Sequence, residues 1–190
     1  CNHNCIHCYN YWRQDSEQVR NSGDLDTDVF DMVEMEVLSN RIFHITLTGG
    51  EPLLVITEVY DVLKRLKDRG VTFGINTNLT LLDPEIVVLL KNLGIKSVLT
   101  SLMSADPEIN DAIVQRRGSF KRTIAGIKLA ISMGLGVTIN MVVTRRNLAT
   151  IQETGRLAKE LGASTFCATK SSAPPNCLDF SEFALDRQQL

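Results

Sequence analysis

The chain has 190 residues, of which 44% are hydrophobic and 22% charged, a composition that excludes disordered and collagen-like classes and suits one globular domain with a sizeable core. Its formal net charge is −2, from 20 basic and 22 acidic residues, so no overall field would recruit nucleic acid or an anionic membrane. We therefore expect neither nucleic acid nor a membrane as a partner.

Three cysteines, Cys1, Cys5 and Cys8, fall within the first eight residues. Their spacing is not the paired arrangement of a structural zinc site, and no second Cys/His pair at zinc-like spacing follows. Iron fits better, because three cysteines on a cubane cluster leave one iron open to another ligand. An odd number of cysteines without a secretory segment indicates a reducing compartment, so we expect a cytoplasmic protein.

Downstream of this loop, helical and extended patterns alternate. Apolar periodicity predicts helices over 27–38, 56–69, 83–94, 106–115, 119–133 and 148–161. Short β-rich runs predict strands over 41–48, 71–77, 95–103, 137–144 and 164–170. Asp83-Pro84 is typical of a helix start, and Ser119 is expected to cap the fifth helix. This alternation predicts parallel βα units with right-handed crossovers.

The segment Thr48-Gly49-Gly50-Glu51-Pro52 follows the first predicted strand. Its two glycines let a ligand approach the main chain closely, and Glu51 adds an acceptor for an ammonium group. The alternative is an ordinary strand-to-helix turn in which the glycines supply positive φ and Pro52 opens the next helix. Asn140 interrupts another apolar strand, and a buried amide requires hydrogen-bond partners.

The cysteine loop resembles the Cys-x-x-x-Cys-x-aromatic-Cys signature of the radical S-adenosylmethionine (radical SAM) enzymes, with His7 in the aromatic position. The Gly-Gly-Glu-Pro segment is similar to the one that holds the amino group of S-adenosylmethionine in that family. The resemblance implies a [4Fe-4S] cluster on Cys1, Cys5 and Cys8, with S-adenosylmethionine at the fourth iron. It implies a partial (β/α)6 TIM-like barrel of α/β class whose first strand, expected upstream of Cys1, is missing from this chain.

Weaker matches imply further cofactor contacts. The cofactor-binding residues that the resemblance implies are His7, Gly49, Gly50, Glu51, Pro52, Ser101, Arg117 and Asn140. Ser101 lies where the family often has Ser-Leu-Asp, although Met103 replaces the aspartate here. Arg117 precedes Gly-Ser-Phe, as does the family arginine that reaches the cofactor carboxylate, and Arg116 could fill the same role. We assign no general acid or base.

The resemblance implies an enzyme in which the reduced cluster cleaves S-adenosylmethionine to a 5′-deoxyadenosyl radical that abstracts hydrogen from a substrate. Such an enzyme uses a one-electron donor such as flavodoxin or ferredoxin. The opening motif looks most like members with a C-terminal SPASM or related auxiliary-cluster region, many of which modify ribosomally made peptides, so we expect a peptide or protein substrate. Tetrapyrroles of haem-type pathways and enzyme side chains are the alternatives. A non-catalytic metal-binding module and a phosphate- or sugar-binding barrel stay open as other classes.

Two segments are predicted along the chain. Residues 1–170 form the core domain, and 171–190 form a linker, containing Pro174-Pro175, and the start of a C-terminal extension. Outside the cofactor site, we expect His3 and His44 to be structural and Cys167 to be a small core hydrophobe. Cys177 is expected to be an exposed thiol or a remote cluster ligand.

Overall fold

The structure is a computed structural model that describes residues 1–8, 27–173, 180, 181 and 183–186. The helices in the described residues are α1 Thr27–Ser39, α2 Ile56–Asp68, α3 Pro84–Asn92, α4 Pro107–Val114, α5 Ser119–Ser132 and α6 Ile151–Glu160. The strands are β1 His44–Leu47, β2 Thr72–Ile75, β3 Ser97–Ser101, β4 Gly136–Val143 and β5 Thr165–Lys170. Short 3-10 turns at Pro52–Leu54 and Leu148–Thr150 precede α2 and α6.

All strand pairs run parallel, as the βα alternation predicted. β1 pairs with β2, and β3, β4 and β5 form a second group in that order. A single parallel bridge between Asn76 and Leu99 joins the two groups. The α/β class with parallel strands is therefore confirmed, and within the described residues the strands do not close into a barrel.

One face of this sheet carries the core. Along β2, β3 and β4 the alternating residues Phe73, Ile75, Val98, Val137 and Ile139 are buried, and they cluster with apolar residues of the helices. Burial therefore alternates from residue to residue along β2, β3 and β4. Because only one face of these strands is buried, the helices pack on that face of the sheet.

The other face is solvent-accessible, and we call it the open face. It consists of the even-numbered residues of β1, β2 and β4 and the odd-numbered residues of β3 and β5, which the strand register aligns side by side. None of these residues is buried in the described structure. The carboxyl ends of all five strands meet at one edge of this face, where the functional residues of parallel βα folds usually lie.

Helix starts follow the predicted signals in two cases. The Asp83 carboxylate accepts a hydrogen bond from Ile86 N at 2.7 Å, and that of Asp106 accepts from Glu108 N at 2.8 Å and Ile109 N at 3.2 Å. Each caps the helix that follows, α3 and α4 respectively.

The prediction that Ser119 caps α5 is wrong. Gly118, with a φ of +76°, occupies the cap position, and Ser119 is already a buried helical residue. The reason is that Asp111 supplies the cap from outside, since its carboxylate accepts from Phe120 N at 2.8 Å and from Gly118 N at 2.5 Å. The Ser119 hydroxyl is thereby released for another contact, described below.

The prediction that Cys167 is a core hydrophobe is also wrong. Cys167 is exposed, because it lies on the open face of β5 rather than on the helix side. Cys177 lies outside the described residues. Nowhere in the described part of the chain is a helix both long enough and apolar enough to cross a bilayer.

Candidate functional site

The cysteine loop is fixed to α4 by hydrogen bonds from its main chain. Asn4 N donates to Val114 O at 3.1 Å and Ile6 N to Ile113 O at 3.0 Å. The Asn4 side chain adds a 2.6 Å bond from Nδ2 to Gln115 Oε1. Gln115 ends α4 in the left-handed conformation, with φ 51° and ψ 41°, a conformation that non-glycine residues seldom adopt.

Two further side chains hold the start of the loop. His3 is buried, and its Nε2 lies 3.0 Å from the hydroxyl of Ser119, the residue freed from capping α5. Asn2 Nδ2 donates to Thr80 Oγ1 at 2.8 Å, and Asn2 Oδ1 accepts from Asn78 Nδ2 at 2.7 Å. Asn2, His3, Asn4 and Ile6 thus hydrogen-bond to other segments of the protein, whereas the three cysteines line a cavity.

The two glycines after β1 have different roles. Gly49 has a φ of +120°, which an L side chain rarely adopts. Gly50 is a packing requirement, since a Cβ added there would lie 2.9 Å from Cys1 N and 3.3 Å from Cys1 Cβ. The close approach of this turn to Cys1 therefore depends on the missing side chain at Gly50.

Glu51 is 5% exposed and connects two strand ends. Its carboxylate accepts hydrogen bonds from Leu53 N at 3.1 Å, Thr77 Oγ1 at 2.5 Å and Asn78 N at 2.8 Å. Burial raises the pKa of the carboxyl, and these hydrogen bonds oppose the rise. A carboxylate has about four acceptor positions, so one is left for a ligand ammonium group.

A cavity of about 400 Å³ brings most of the predicted site together at the carboxyl edge of the sheet. The predicted site residues that line it are Cys1, Cys5, His7, Cys8, Gly49, Gly50, Glu51, Ser101 and Asn140. They come from the first loop, from the segment after β1, from the end of β3 and from the interior of β4. The tertiary structure therefore brings together residues whose proximity cannot be deduced from their spacing in the sequence.

His7 lies within this cavity with most of its ring covered. Burial lowers the pKa of the imidazole to about 4, because the charged form would be poorly solvated. The buried Nδ1 atom makes no hydrogen bond within the described residues. A neutral ring with one unused, buried nitrogen can form a hydrogen bond with a ligand in the cavity.

Two of the predicted site residues lie elsewhere. Pro52 begins the 3-10 turn before α2 and does not contribute to the cavity lining found among the described residues. Arg117 borders a separate surface groove together with Glu108 and Arg116. The predicted contact between Arg117 and the cofactor carboxylate has no support in this geometry, because the capping of α5 by Asp111 holds this turn outside the cavity.

Sequence reasoning missed three contributors. Ser171, placed in the predicted linker, is 4% exposed, lines the cavity and has an Oγ without a hydrogen-bond partner in the described structure. Asn110 lines the cavity and accepts from Met103 N at 3.0 Å. Gln115 supports the cysteine loop. Polar type alone gives little signal for such residues, because their role depends on contacts distant in sequence.

The cysteine arrangement fits a multi-iron cluster. In the described residues no three His, Cys, Asp or Glu side chains converge on a single metal position. The three cysteines nevertheless surround one cavity. Cysteine thiolates are the ligands that iron–sulfur clusters use, so the donor set fits a cluster by its chemistry.

Sequence comparisons show the family of the chain. A model of the Radical SAM superfamily matches residues 1–158. The AdoMet-dependent heme synthase of Methanosarcina barkeri is 37% identical over 166 residues, which are 87% of this chain and 46% of that protein. The mycofactocin maturase MftC of Mycobacterium tuberculosis is 30% identical over 165 residues, 86% of this chain and 40% of that protein. The chain thus spans about half the length of these curated relatives or less.

Solved structures share the fold. Native anSMEcpe with bound AdoMet superposes with a TM-score of 0.81 and 20% identity, covering 100% of this chain and 54% of that one. Streptococcus suis SuiB bound to its precursor peptide SuiA gives a TM-score of 0.66 and 20% identity, covering 90% of this chain and 37% of that one. At this identity the likeness concerns the fold alone.

Proposed function

The chain belongs to the radical SAM superfamily, and from that premise we propose that it is the S-adenosylmethionine-binding core of an enzyme that acts on a peptide by hydrogen abstraction. One observation carries the proposal. Cys1, Cys5 and Cys8 and the Gly49–Glu51 segment, about forty residues apart, line the same cavity. The superfamily uses a [4Fe-4S] cluster and S-adenosylmethionine, and this donor set fits both.

Cys1, Cys5 and Cys8 would hold the cluster, and Glu51, Ser101 and Asn140 would hold S-adenosylmethionine. When bound and reduced, the cluster supplies the electron that splits S-adenosylmethionine into methionine and a 5′-deoxyadenosyl radical. The chain's own residues bind and orient. Glu51 offers its remaining acceptor position to the ammonium group, and the Ser101 hydroxyl and Asn140 amide offer neutral polar contacts from neighbouring strands.

A peptide is the proposed substrate because several of the relatives are named as maturases or as a peptide cyclase. The 30% identical relative is a maturase, and SuiB has been solved with its precursor peptide. The chain covers 40% of that maturase and 37% of that SuiB chain, so the substrate of the whole protein is a proposal. An electron donor such as flavodoxin or ferredoxin, and a cytoplasmic location that keeps thiols reduced, complete the proposal.

A tetrapyrrole is the second candidate substrate. It is favoured by one observation, the 37% identity with an AdoMet-dependent heme synthase. Identity over a cofactor-binding core reports mainly on that core, so it does not separate the two substrate classes.

Anaerobic reconstitution with iron and sulfide tests the proposed activity. We expect a brown protein that binds S-adenosylmethionine and, after dithionite reduction, forms 5′-deoxyadenosine. The matched control is Cys167→Ala, a cysteine outside the cavity, which should retain both properties. A colourless protein that forms no 5′-deoxyadenosine after reconstitution would overturn the proposal.

A further inference from the structure

A cluster of cations lies at the start of α5, next to the cysteine loop. Four exposed side chains, which we call the basic turn, belong to it: Arg116, Arg117, Lys121 and Arg122. None of them forms an ion pair within the described part of the chain. Arg122 Nη2 donates to Arg117 O at 3.3 Å, a contact inside the turn itself. Unpaired cations so close together give this surface a positive potential that attracts anionic partners.

The charge of the basic turn is not balanced by its surroundings. Residues 112–152 include seven Arg and Lys but no Asp or Glu, although acidic residues outnumber basic ones in the whole chain. Two carboxylates among the described residues line the groove of about 410 Å³ beside the basic turn. Asp111 is used to cap α5, which leaves Glu108 as the acidic side chain exposed there. The surface is therefore net positive in a chain whose net charge is −2.

The stability of the helix does not account for these cations. Lys121 and Arg122 lie in the first turn of α5, where the N-terminal end of the helix dipole is positive and favours anions. That turn contains no acidic residue. The unfavourable placement of two cations therefore points to a role other than folding of the helix.

Two side-chain contacts join this region to the cysteine loop. Gln115 lines the groove and accepts a hydrogen bond at 2.6 Å from Nδ2 of Asn4, an exposed residue of the loop. The hydroxyl of Ser119, at the start of α5, lies 3.0 Å from His3 Nε2. A protein seated on the groove would therefore lie against the loop whose cysteines are assigned to the cluster. Because electron transfer slows steeply with distance, this surface offers a short path to the cluster.

We propose that the basic turn and its groove form the docking surface for an acidic protein that carries single electrons, such as a flavodoxin. The inference rests on the proposed function, since a cluster that cleaves S-adenosylmethionine must first receive an electron from outside the chain. The carrier gives up one electron and is oxidised, the cluster takes it up and is reduced, and no covalent bond changes. Carboxylates of the carrier would pair with the guanidinium groups of the basic turn.

The position of the groove favours an electron carrier over an acidic peptide substrate, the other class that such charges attract. The groove shares no lining residue with the cofactor cavity in the described structure, so a substrate seated there would lie away from bound S-adenosylmethionine. A carrier needs proximity to the cluster and no access to the substrate. The groove also presents exposed Pro107 and Ala112 between charged side chains, which suits the small, electrostatically steered interfaces of electron-transfer complexes.

Cross-linking to an oxidised flavodoxin tests the docking surface without catalysis. A carbodiimide joins carboxylates of the flavodoxin to the lysine amines that they touch, and Lys121 is the lysine of the basic turn. Reconstituted holoenzyme is mixed with the flavodoxin, cross-linked and digested for mass spectrometry. We expect cross-links at Lys121 to exceed those at Lys96, an exposed lysine just before β3, about tenfold. Salt at about 0.5 M should suppress the cross-links at Lys121 by screening the charges.

A double charge reversal gives the functional test. Lys121→Glu with Arg122→Glu places acidic residues where the helix dipole favours them, so α5 should fold, and circular dichroism and iron content verify this. We expect limiting reduced flavodoxin to support 5′-deoxyadenosine formation about tenfold more slowly, with a smaller difference at about 0.5 M salt. The rate with dithionite should stay within about twofold, because a small reductant needs no docking surface. The matched control is Arg69→Glu with Lys96→Glu, the same charge change just before β2 and β3, which should behave as the unsubstituted protein.

The results separate the inference from the proposed function. Cross-linking at Lys121, with a loss confined to the flavodoxin-supported rate, supports the inference. Equal flavodoxin-supported rates in the two double variants overturn it, and so do cross-links mainly at other lysines. A parallel loss with dithionite also overturns it, because the basic turn would then serve the cofactor site. Absence of product with dithionite in the unsubstituted holoenzyme counts against the proposed function, while the cross-links still decide whether the flavodoxin docks on the basic turn.

Discussion

Two neighbouring regions of this protein differ in how strongly side-chain hydrogen bonds hold them. The cofactor edge, which comprises residues 1–8, 48–52 and 76–80, is densely hydrogen-bonded, with Glu51 and Asn78 each joined to more than one partner. The open face below it is solvent-accessible and has few cross-strand side-chain bonds in the described residues, such as that from Thr169 Oγ1 to Asn140 Oδ1 at 3.2 Å. The difference indicates that the cofactor edge is preorganised by side-chain hydrogen bonds for a fixed ligand, whereas the open face is less constrained by such bonds.

The largest effect is expected from removing a cluster ligand at the cofactor edge. Cys5→Ala should reduce bound iron strongly and lower 5′-deoxyadenosine formation to background, because two thiolates do not hold the cluster. Cys167→Ala, the equivalent change on the open face, should leave both values near those of the unsubstituted protein. Iron analysis and product quantification after reconstitution measure the contrast. Comparable losses in the two variants would remove the distinction between the regions.

A smaller loss is expected from Gly50→Ala. The new Cβ would lie 2.9 Å from Cys1 N, so the turn or the cysteine loop must shift. Overpacking of this kind costs about 1–3 kcal/mol, and we expect reduced iron content together with a lower free energy of unfolding. Gly155→Ala in α6 is the control, because its nearest neighbour, the Phe166 ring, is 3.4 Å away and alanine favours the helix. Full iron loading of Gly50→Ala would show that the close approach is dispensable.

The same substitution can be compared in the two regions with Thr→Val. Thr77→Val removes the hydroxyl that donates to Glu51 and accepts from Leu79 N, and it should destabilise the protein by about 1–3 kcal/mol and weaken S-adenosylmethionine binding. Thr165→Val on the open face should change the free energy of unfolding by less than about 0.5 kcal/mol. Urea titration and ligand titration give the two quantities. An equal effect at both positions would argue against a rigid cofactor edge.

The smallest effect concerns Gln115, which supports the cysteine loop in a left-handed conformation. Gln115→Ala loses the bond to Asn4 and keeps the backbone strain, whereas Gln115→Gly loses the bond and relieves the strain. We expect the free energy of unfolding of Gln115→Gly to exceed that of Gln115→Ala by about 1 kcal/mol. Both variants should release iron at the same increased rate, since both lack the Asn4 contact. Chelator-induced iron loss measures this, and an unchanged rate would show that Asn4 is held well enough by its main chain.

Local sequence patterns were sufficient for the secondary structure. Four of the five strands are shorter than the predicted runs, as at β1, where 41–48 became His44–Leu47, because pairing ends before β propensity does, whereas β4 keeps its predicted length. The α6 region begins with the 3-10 turn Leu148–Thr150 rather than with a regular helix. Ser119 failed as a cap because a carboxylate from a neighbouring helix took the role, a contact that no local pattern encodes.

The sequence by itself determined the chemistry of this protein and the order of its parts. Three cysteines at fixed spacing and a Gly-Gly-Glu turn after a β-rich run are local features, legible because they lie within single segments. The tertiary structure decided which residues meet. It placed Ser171 in the cavity and Arg117 outside it, put Cys167 on an accessible face, and aligned alternate residues of five strands on one surface. Those outcomes depend on strand register and helix packing, which are set by long-range burial rather than by neighbouring residues.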